Sequence, residues 1–309
     1  MKKWVFLICT VLLVAVFSIY LLIPSDLTVT RVVPAKCRAG GAFPILGQAA
    51  NWSRWWPGKK GGFVYKGMSY ALSGTMYNVV HVDISKETER YDSRIGIIPI
   101  GNLDSILLQW ECPMRAEMNP FTRIRQYLRA RAIGKNMGEI LDSLSLFLGN
   151  KENVYGVDIR EGGTSDSWLV GTKALYPAYP STSDIYHLLN KVKDYLDRQG
   201  AEQTGYPMVN ITPLNGSRDS FQVMVAIPID RRLAGERDIY FRRLVPGKYL
   251  IGEVEGGEPA INKALSGFQQ YILDYQRTVM AIPFQLLITD RSKEQDSSRW
   301  KTRIYYPIF

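Results

Sequence analysis

The stretch from Trp168 to Phe309 repeats itself, and a chain that does so must seat both copies in one core or stack them. The first half ends FQVMVAIPI (Phe221 to Ile229) and the second ends KTRIYYPIF (Lys301 to Phe309). Ile229 and Ile308 are the matching last apolar positions, 79 residues apart. Ahead of each ending stands a proline-led apolar run, PMVNIT (Pro207 to Thr212) and PFQLLIT (Pro283 to Thr289). An amphipathic helix pattern precedes each run, and a strand-like run precedes each helix. Two copies at so long a period fit a pseudo-symmetric domain better than an open solenoid, which usually needs three or more repeats.

Local chemistry marks the elements of each copy. In the first, Trp168 to Tyr176 reads as a strand, and Ser181 with Asp184 three residues on makes a capping box. Ile185, Leu188, Leu189, Val192 and Leu196 then form one helix face, closed by Gly200 at the position just past the end. Strands Met208 to Thr212 and Phe221 to Ile229 follow, joined through the hairpin signal Asn215-Gly216. The second copy opens with a long strand-like run, Ile239 to Val254, interrupted at Pro246-Gly247. Its helix starts at Glu258-Pro259, where proline is tolerated in the first turn. Ile261, Ala264, Leu265, Phe268 and Ile272 face the core, and strands Phe284 to Thr289 and Trp300 to Ile308 finish it.

Each copy is therefore strand–helix–strand–strand. Two copies predict one antiparallel sheet with both helices on one face and an open, concave face opposite. Side chains alternate along a strand, so Val223, Val225, Ile227 and Ile229 should pack under the helices. By the 79-residue offset they match Thr302, Ile304, Tyr306 and Ile308. The other parity, Met224 and Ala226 with Arg303 and Tyr305, should face the groove. Glu253 shares a parity with Tyr249, Ile251 and Glu255, and it either pairs with Arg303 or supplies an acid to the groove. Tyr179, Tyr249, Phe284 and Tyr305 either line the groove or simply pack.

This order, with the strand endings AIPI (Ala226 to Ile229) and YYPI (Tyr305 to Ile308), resembles the GyrI-like small-molecule binding domain. That is the effector-binding module at the C-terminus of many AraC- and MerR-type regulators. The resemblance covers about residues 155 to 309. It implies a ligand groove along the pseudo-twofold axis, often for apolar or cationic compounds, and in some relatives hydrolysis of small molecules. Relatives that bind cations carry an acidic residue at the place of Arg303, in a motif like T-E-I-Y-x-P. Here the motif reads Thr302-Arg303-Ile304-Tyr305-Tyr306-Pro307. A guanidinium there favours an anionic or neutral ligand, because its fork matches a carboxylate or phosphate. The candidate ligand-binding set is Tyr179, Met224, Tyr249, Glu253, Phe284, Arg303 and Tyr305.

At the other end of the chain, Trp4 to Ile23 is almost wholly apolar and follows Lys2 and Lys3. Twenty residues at helical rise span a bilayer core, and no small-residue cleavage signal follows. The expectation is an uncleaved single-pass signal anchor over residues 1–24 in a bacterial inner membrane, with removal as a signal peptide the alternative. Lys2 and Lys3 place the globular part on the periplasmic or extracellular side; Arg31, Lys36 and Arg38 weigh the other way.

Between anchor and repeat, residues 25–152 read as one α+β domain. A first strand and its proline, TVTRVVPAK (Thr28 to Lys36), lead to a short helical region ending NWSRWWP (Asn51 to Pro57). Strand-like runs follow, and a helix from about Asn136 to Leu148 carries the stripe Ile140, Leu144 and Phe147. These residues and this order resemble the START-like superfamily, the polyketide cyclase/dehydrase and lipid-transport group. The resemblance implies a helix-grip fold with a cavity for an apolar small molecule or lipid, and no particular reaction. Trp52, Trp55 and Trp56 read either as core or as a cavity mouth. The basic run Phe121 to Lys135 reads either as a solvated face or as a lipid-facing one.

The expected architecture is thus α+β in three parts: transmembrane helix (1–24), START-like domain (25–152) and GyrI-like domain (153–309). Its expected role is a membrane-tethered protein, held through residues 4–23, that binds or senses an apolar, neutral or anionic small molecule or lipid. The alternative is a hydrolase that uses Glu253 in the groove. A net charge of +9 permits anionic partners without choosing among them. No helix-turn-helix pattern is present, so nucleic acid is not an expected partner; any protein partner is unspecified. Three cysteines without C-x-x-C spacing and two histidines predict no metal site and no cofactor. Cys37 and Cys112 read either as one disulfide or as two buried thiols.

Overall fold

A computed structural model describes residues 2–58, 61–101, 104–165, 167–214, 220–244, 246–279 and 281–308, without the side chains of Lys2 and Val5. The chain divides into two compact units, Met1–Asn150 and Lys151–Phe309.

The first unit begins with a helix over the apolar leader, α1 (Lys2–Leu22). Its side chains are exposed at Trp4 and from Phe6 to Phe17, but its C-terminal end is held by protein. The Tyr20 hydroxyl donates to the Met118 carbonyl. Arg123, itself buried, donates to the Ile23 carbonyl at 2.9 and 2.7 Å and lies 4.9 Å from the Tyr20 ring centroid. The freely exposed part spans about 20 Å at helical rise, short of a hydrocarbon core of about 30 Å. Among the described residues no helix is long and apolar enough to cross a membrane. This overturns the expected transmembrane helix over residues 4–23. The single-pass inner-membrane localisation built on that helix falls with it.

The rest of the unit is β1 (Val29–Ala35), α2 (Ala39–Gly47), α3 (Ala49–Trp52), β2 (Val64–Tyr65), β3 (Met68–Met76), β4 (Val79–Lys86), β5 (Glu89–Pro99), β6 (Ile106–Cys112) and α4 (Pro120–Leu148). The strands form one antiparallel sheet in the order β1-β6-β5-β4-β3-β2. Helix α4 packs along β1, with Arg31 donating to the Gly134 carbonyl at 3.0 Å and Ser145 to that of Pro34 at 2.6 Å. The tryptophans are core. Trp52 stacks on Trp56 at 5.6 Å, Trp55 tilts against both, and all three are buried. The Trp52 indole also donates to the Leu46 carbonyl at 2.7 Å. Such rings give large apolar burial and still need a partner for each N–H. Cys37 and Cys112 are both buried, and no disulfide joins them.

The second unit contains α5 (Lys151–Tyr155), β7 (Arg160–Gly163), β8 (Ser167–Tyr176), α6 (Thr182–Gln199), β9 (Met208–Pro213), β10 (Phe221–Ile229), β11 (Tyr240–Leu244), β12 (Lys248–Glu255), α7 (Glu258–Asp274), β13 (Phe284–Leu287) and β14 (Lys301–Ile308). Its sheet is antiparallel, in the order β11-β8-β10-β9-β13-β14-β12-β7. The order is symmetric about the β9/β13 junction. Each copy gains a leading strand, β7 or β11, and each leading strand pairs with the other copy: β7 with β12, β11 with β8.

The Ser181 hydroxyl accepts from the Asp184 amide, and the Asp184 carboxylate accepts from the Ser181 amide at 2.9 Å, so α6 begins with both halves of a capping box. Gly200 ends it in the left-handed region at φ 59. Val223, Val225 and Ile227 pack against the buried face of α6, while Ile304 and Tyr306 pack against α7. Phe268 of α7 stacks on Tyr306 with centroids 5.1 Å apart. Burying side chains of this size contributes roughly 1.5–3 kcal/mol each. Register puts Val225, Val209, Gln285 and Ile304 in one row, so both helices lie on the same face. The hairpin turn expected at Asn215-Gly216 lies outside the described residues.

Candidate functional site

The face opposite the helices carries the candidate site. Pairing aligns Tyr240, Gly171, Ala226, Met208, Leu286, Arg303 and Glu253 in one row across it. Beside this row Phe284 stands opposite Tyr305 in register. The Phe284 and Tyr305 rings stack at 4.9 Å and 7°. Tyr249 meets both edge-on, at 6.0 and 5.9 Å. Offset and edge-to-face pairs of this kind add about 0.5–1.5 kcal/mol beyond burial. They give the cleft a stiff aromatic wall.

A cleft of about 240 Å³ opens against that wall. Tyr249 and Phe284 form one side, Met208 and Met224 the floor, and Leu169 with Tyr240 the other side. Arg242 stands at the rim, exposed, with its guanidinium 5.1 Å from the Tyr240 ring centroid. Arg243 lines the rim as well and lies over Trp168. Among the described residues no aspartate or glutamate lines the cleft. Burial raises the Tyr240 pKa above its ordinary value, so its hydroxyl stays a neutral donor. The arrangement can hold an apolar body against aromatic and methionine surfaces and place a neutral or anionic group near Arg242.

The seven expected residues do not all meet. Met224, Tyr249 and Phe284 line the cleft, and Tyr305 backs Phe284. Arg303 and Glu253 share the open face but pair with each other, Arg303 Nε to Glu253 Oε1 at 2.6 Å, and neither lines the cleft. Tyr179 lies on the helix-bearing face, edge-on to Phe221 at 5.5 Å. There it borders a wider gap of about 870 Å³ between α7 and the sheet. That gap is larger and also meets aromatic rings, Phe284 and Tyr306 among them, but among the described residues no arginine or lysine lines it. Parity reasoning missed Tyr240 and Arg242. They sit on an exchanged edge strand, and sequence offers no signal for which neighbour such a strand will take.

No family model matches the chain, and no curated protein matches it. Solved structures do. The C-terminal domain of EcmrR is similar at 15% identity over 50% of this chain and 98% of that one, with a TM-score of 0.44. SAV2435 bound to tetraphenylphosphonium is similar at 18% identity over 49% and 93%, with a TM-score of 0.32. A hydrolase encoded by lin2189 from Listeria innocua is similar at 9% identity over 49% and 91%, with a TM-score of 0.38. All three are partial likenesses in shape at low identity.

Proposed function

We propose that the second unit is a GyrI-like small-molecule binding domain. Its ligand is an apolar compound or lipid with a neutral or anionic group, held in the cleft on the open sheet face. The observation that carries this reading is the lining. Three aromatic rings brace one another along one side, methionines make the floor, and the charged residues among those that line the cleft are arginines. Mostly apolar concave sites with a few placed polar groups are the usual form of ligand pockets. Nothing favours the hydrolase alternative, since Glu253 is exposed and paired with Arg303 outside the cleft.

For the first unit we propose a START-like helix-grip domain. Its antiparallel sheet and its long closing helix α4 along β1 support that reading. Buried tryptophans fill its interior, so binding is assigned to the second unit.

The test uses the full chain and two probes of similar bulk, anionic 8-anilinonaphthalene-1-sulfonate and cationic tetraphenylphosphonium. The anion should bind more tightly by fluorescence and calorimetry. Met224→Trp, which fills the floor, should abolish its binding, and Arg242→Gln should weaken it. Tighter binding of the cation, or a dye signal indifferent to Met224→Trp, would overturn the reading.

A further inference from the structure

A second feature of the same unit points to a separate site. The loop between β13 and β14, residues 288–300, is polar and reads as solvated, yet it sends Arg291 inward. Arg291 is 9% exposed. Its Nη2 donates to Thr302 Oγ1 at 2.7 Å, and its guanidinium lies 4.8 Å from the Trp300 ring centroid. Its Nε is buried and meets no hydrogen-bond acceptor of the described residues. The electrostatic neighbours of Arg291 are the tyrosines Tyr186 and Tyr179, and burial lowers its pKa from the ordinary arginine range. The adjacent Asp290 does not serve it, because Asp290 accepts from the Ser292 amide and hydroxyl. A buried guanidinium that forms no ion pair with a described carboxylate is costly to leave uncompensated.

Arg291 lines a recess of about 260 Å³. The first turns of both long helices line it too, Ser181 and Thr182 of α6 and Glu258 and Pro259 of α7. Helix N-termini present unpaired N–H groups and about half a positive charge each. Helix α7 is capped by Gly257, which has no side chain to satisfy those groups. Ile185, Ile261 and Trp300 supply an apolar wall.

We infer that this recess is a second binding site, for the carboxylate of a small apolar or aromatic monoanion, with Arg291 as its counter-ion between the two helix N-termini. The charge count selects a monoanion. One guanidinium and the N-terminus of α7 supply roughly one and a half positive charges, the Asp184 carboxylate of the capping box already serves the N-terminus of α6, and the Glu258 carboxylate at the rim offsets one. A phosphate dianion would overfill that balance. The recess lies on the helix-bearing side of the sheet, so it is separate from the cleft, and its occupancy does not depend on the cleft's function.

The experiment is calorimetry on the full chain with benzoate, its neutral isostere benzamide, and inorganic phosphate. Benzoate should bind with a Kd at least tenfold below that of either other probe, and quench Trp300 fluorescence measured against Trp300→Phe. Arg291→Met should lose about tenfold or more in benzoate affinity, the scale of a charge-assisted hydrogen bond. Glu258→Gln should tighten benzoate about two- to fivefold, as removal of an opposing charge at a helix end. Arg242→Gln, at the cleft, should leave the Trp300 quench by benzoate unchanged, because Trp300 lines the recess and not the cleft. Equal binding of benzoate and benzamide at Trp300, preference for phosphate there, or loss of the Trp300 quench on Arg242→Gln would overturn the assignment. If Arg291→Met does not fold, Glu258→Gln decides alone: unchanged or weaker benzoate binding refutes the site.

Discussion

Gly171 gives a sharp test of how the cleft wall is built. It pairs with Ala226 on one side and Tyr240 on the other. A Cβ added there would fall 2.3 Å from the Val225 carbonyl oxygen, and 2.8 and 2.9 Å from the hydroxyl oxygen and a ring carbon of Tyr240. The carbonyl belongs to the β8–β10 ladder and cannot retreat without opening it. Tyr240 can rotate, but then it gives up its hydrogen bond to Val225 (3.4 Å) and leaves the cleft wall. In an unhindered strand, glycine to alanine would gain about 0.5–1 kcal/mol. Here overpacking costs about 1–3 kcal/mol, and the lost hydrogen bond up to about 1 kcal/mol. The balance is a local destabilisation of about 1–2 kcal/mol, a factor of about 5–30 in opening equilibrium. Hydrogen exchange followed by mass spectrometry should show Gly171→Ala speeding exchange in β8 and β10 by that factor. Strands β3 to β6 of the first unit serve as the unchanged control. Dye affinity at the cleft should fall in parallel. Exchange that is unchanged or slower in β8 and β10 would refute the packing argument, because the ordinary gain from alanine would then be the whole effect.

Ser181→Ala removes half of the capping box and should cost about 1 kcal/mol, read as faster amide exchange confined to the first turn of α6. Trp52→Ala should cost about 3–5 kcal/mol and abolish the near-ultraviolet dichroism of the tryptophan cluster; a small loss would mean the cluster is not core. Arg303→Met breaks a partly exposed ion pair, so stability should change by less than about 1 kcal/mol and dye affinity not at all. Burial pushes the Cys112 thiol up to about 11, above an ordinary value of about 8.5. Its contribution to first-unit stability is therefore complete below about pH 8.5 and is lost as pH rises toward 11. Cys112→Ala should flatten that decline in urea titrations, and an unaltered decline would discard the thiol as its source.

The elements with local chemistry were legible from residues alone. Ser181, Asp184 and Gly200 marked both ends of α6, because a capping box and a left-handed glycine act within a single turn. Alternation in β10 and β14 told the helix face from the open face, since one residue of slip would have buried the wrong set. What escaped depends on distant partners. β7 reads REGG, is exposed throughout and has no strand pattern; it is a strand because the edge of β12 offers it hydrogen bonds. The first half of α4 looked like a separate basic amphipathic run, because Arg123 and Arg129 stand among Ile124, Tyr127 and Leu128. Arg123 is in fact buried on the end of α1, and Arg129 pairs with Glu89. The leader was apolar enough to read as a membrane span, but the docking of Tyr20 and Ile23 shortens its free part. Arg291 was illegible for the same reason: a charged loop is usually solvated, and only the tertiary fold turns that side chain inward.

The exchange of leading strands sets what half of this unit can do alone. A chain ending near Ile229 would carry β7, whose edge partner β12 belongs to the missing half, and its own β8 would lack β11. Each half holds a strand fitted only to its twin. Two such chains can satisfy one another by trading those strands across a twofold axis, as an intertwined homodimer. Fusing the two genes would then preserve every pairing while replacing a concentration-dependent association with a fixed local one. On this account the segment from Asp230 to Ile239 is the seam of that fusion, bound to the first half by the hydrogen bonds from Tyr195 to Ala234 and from Thr172 to Asp238.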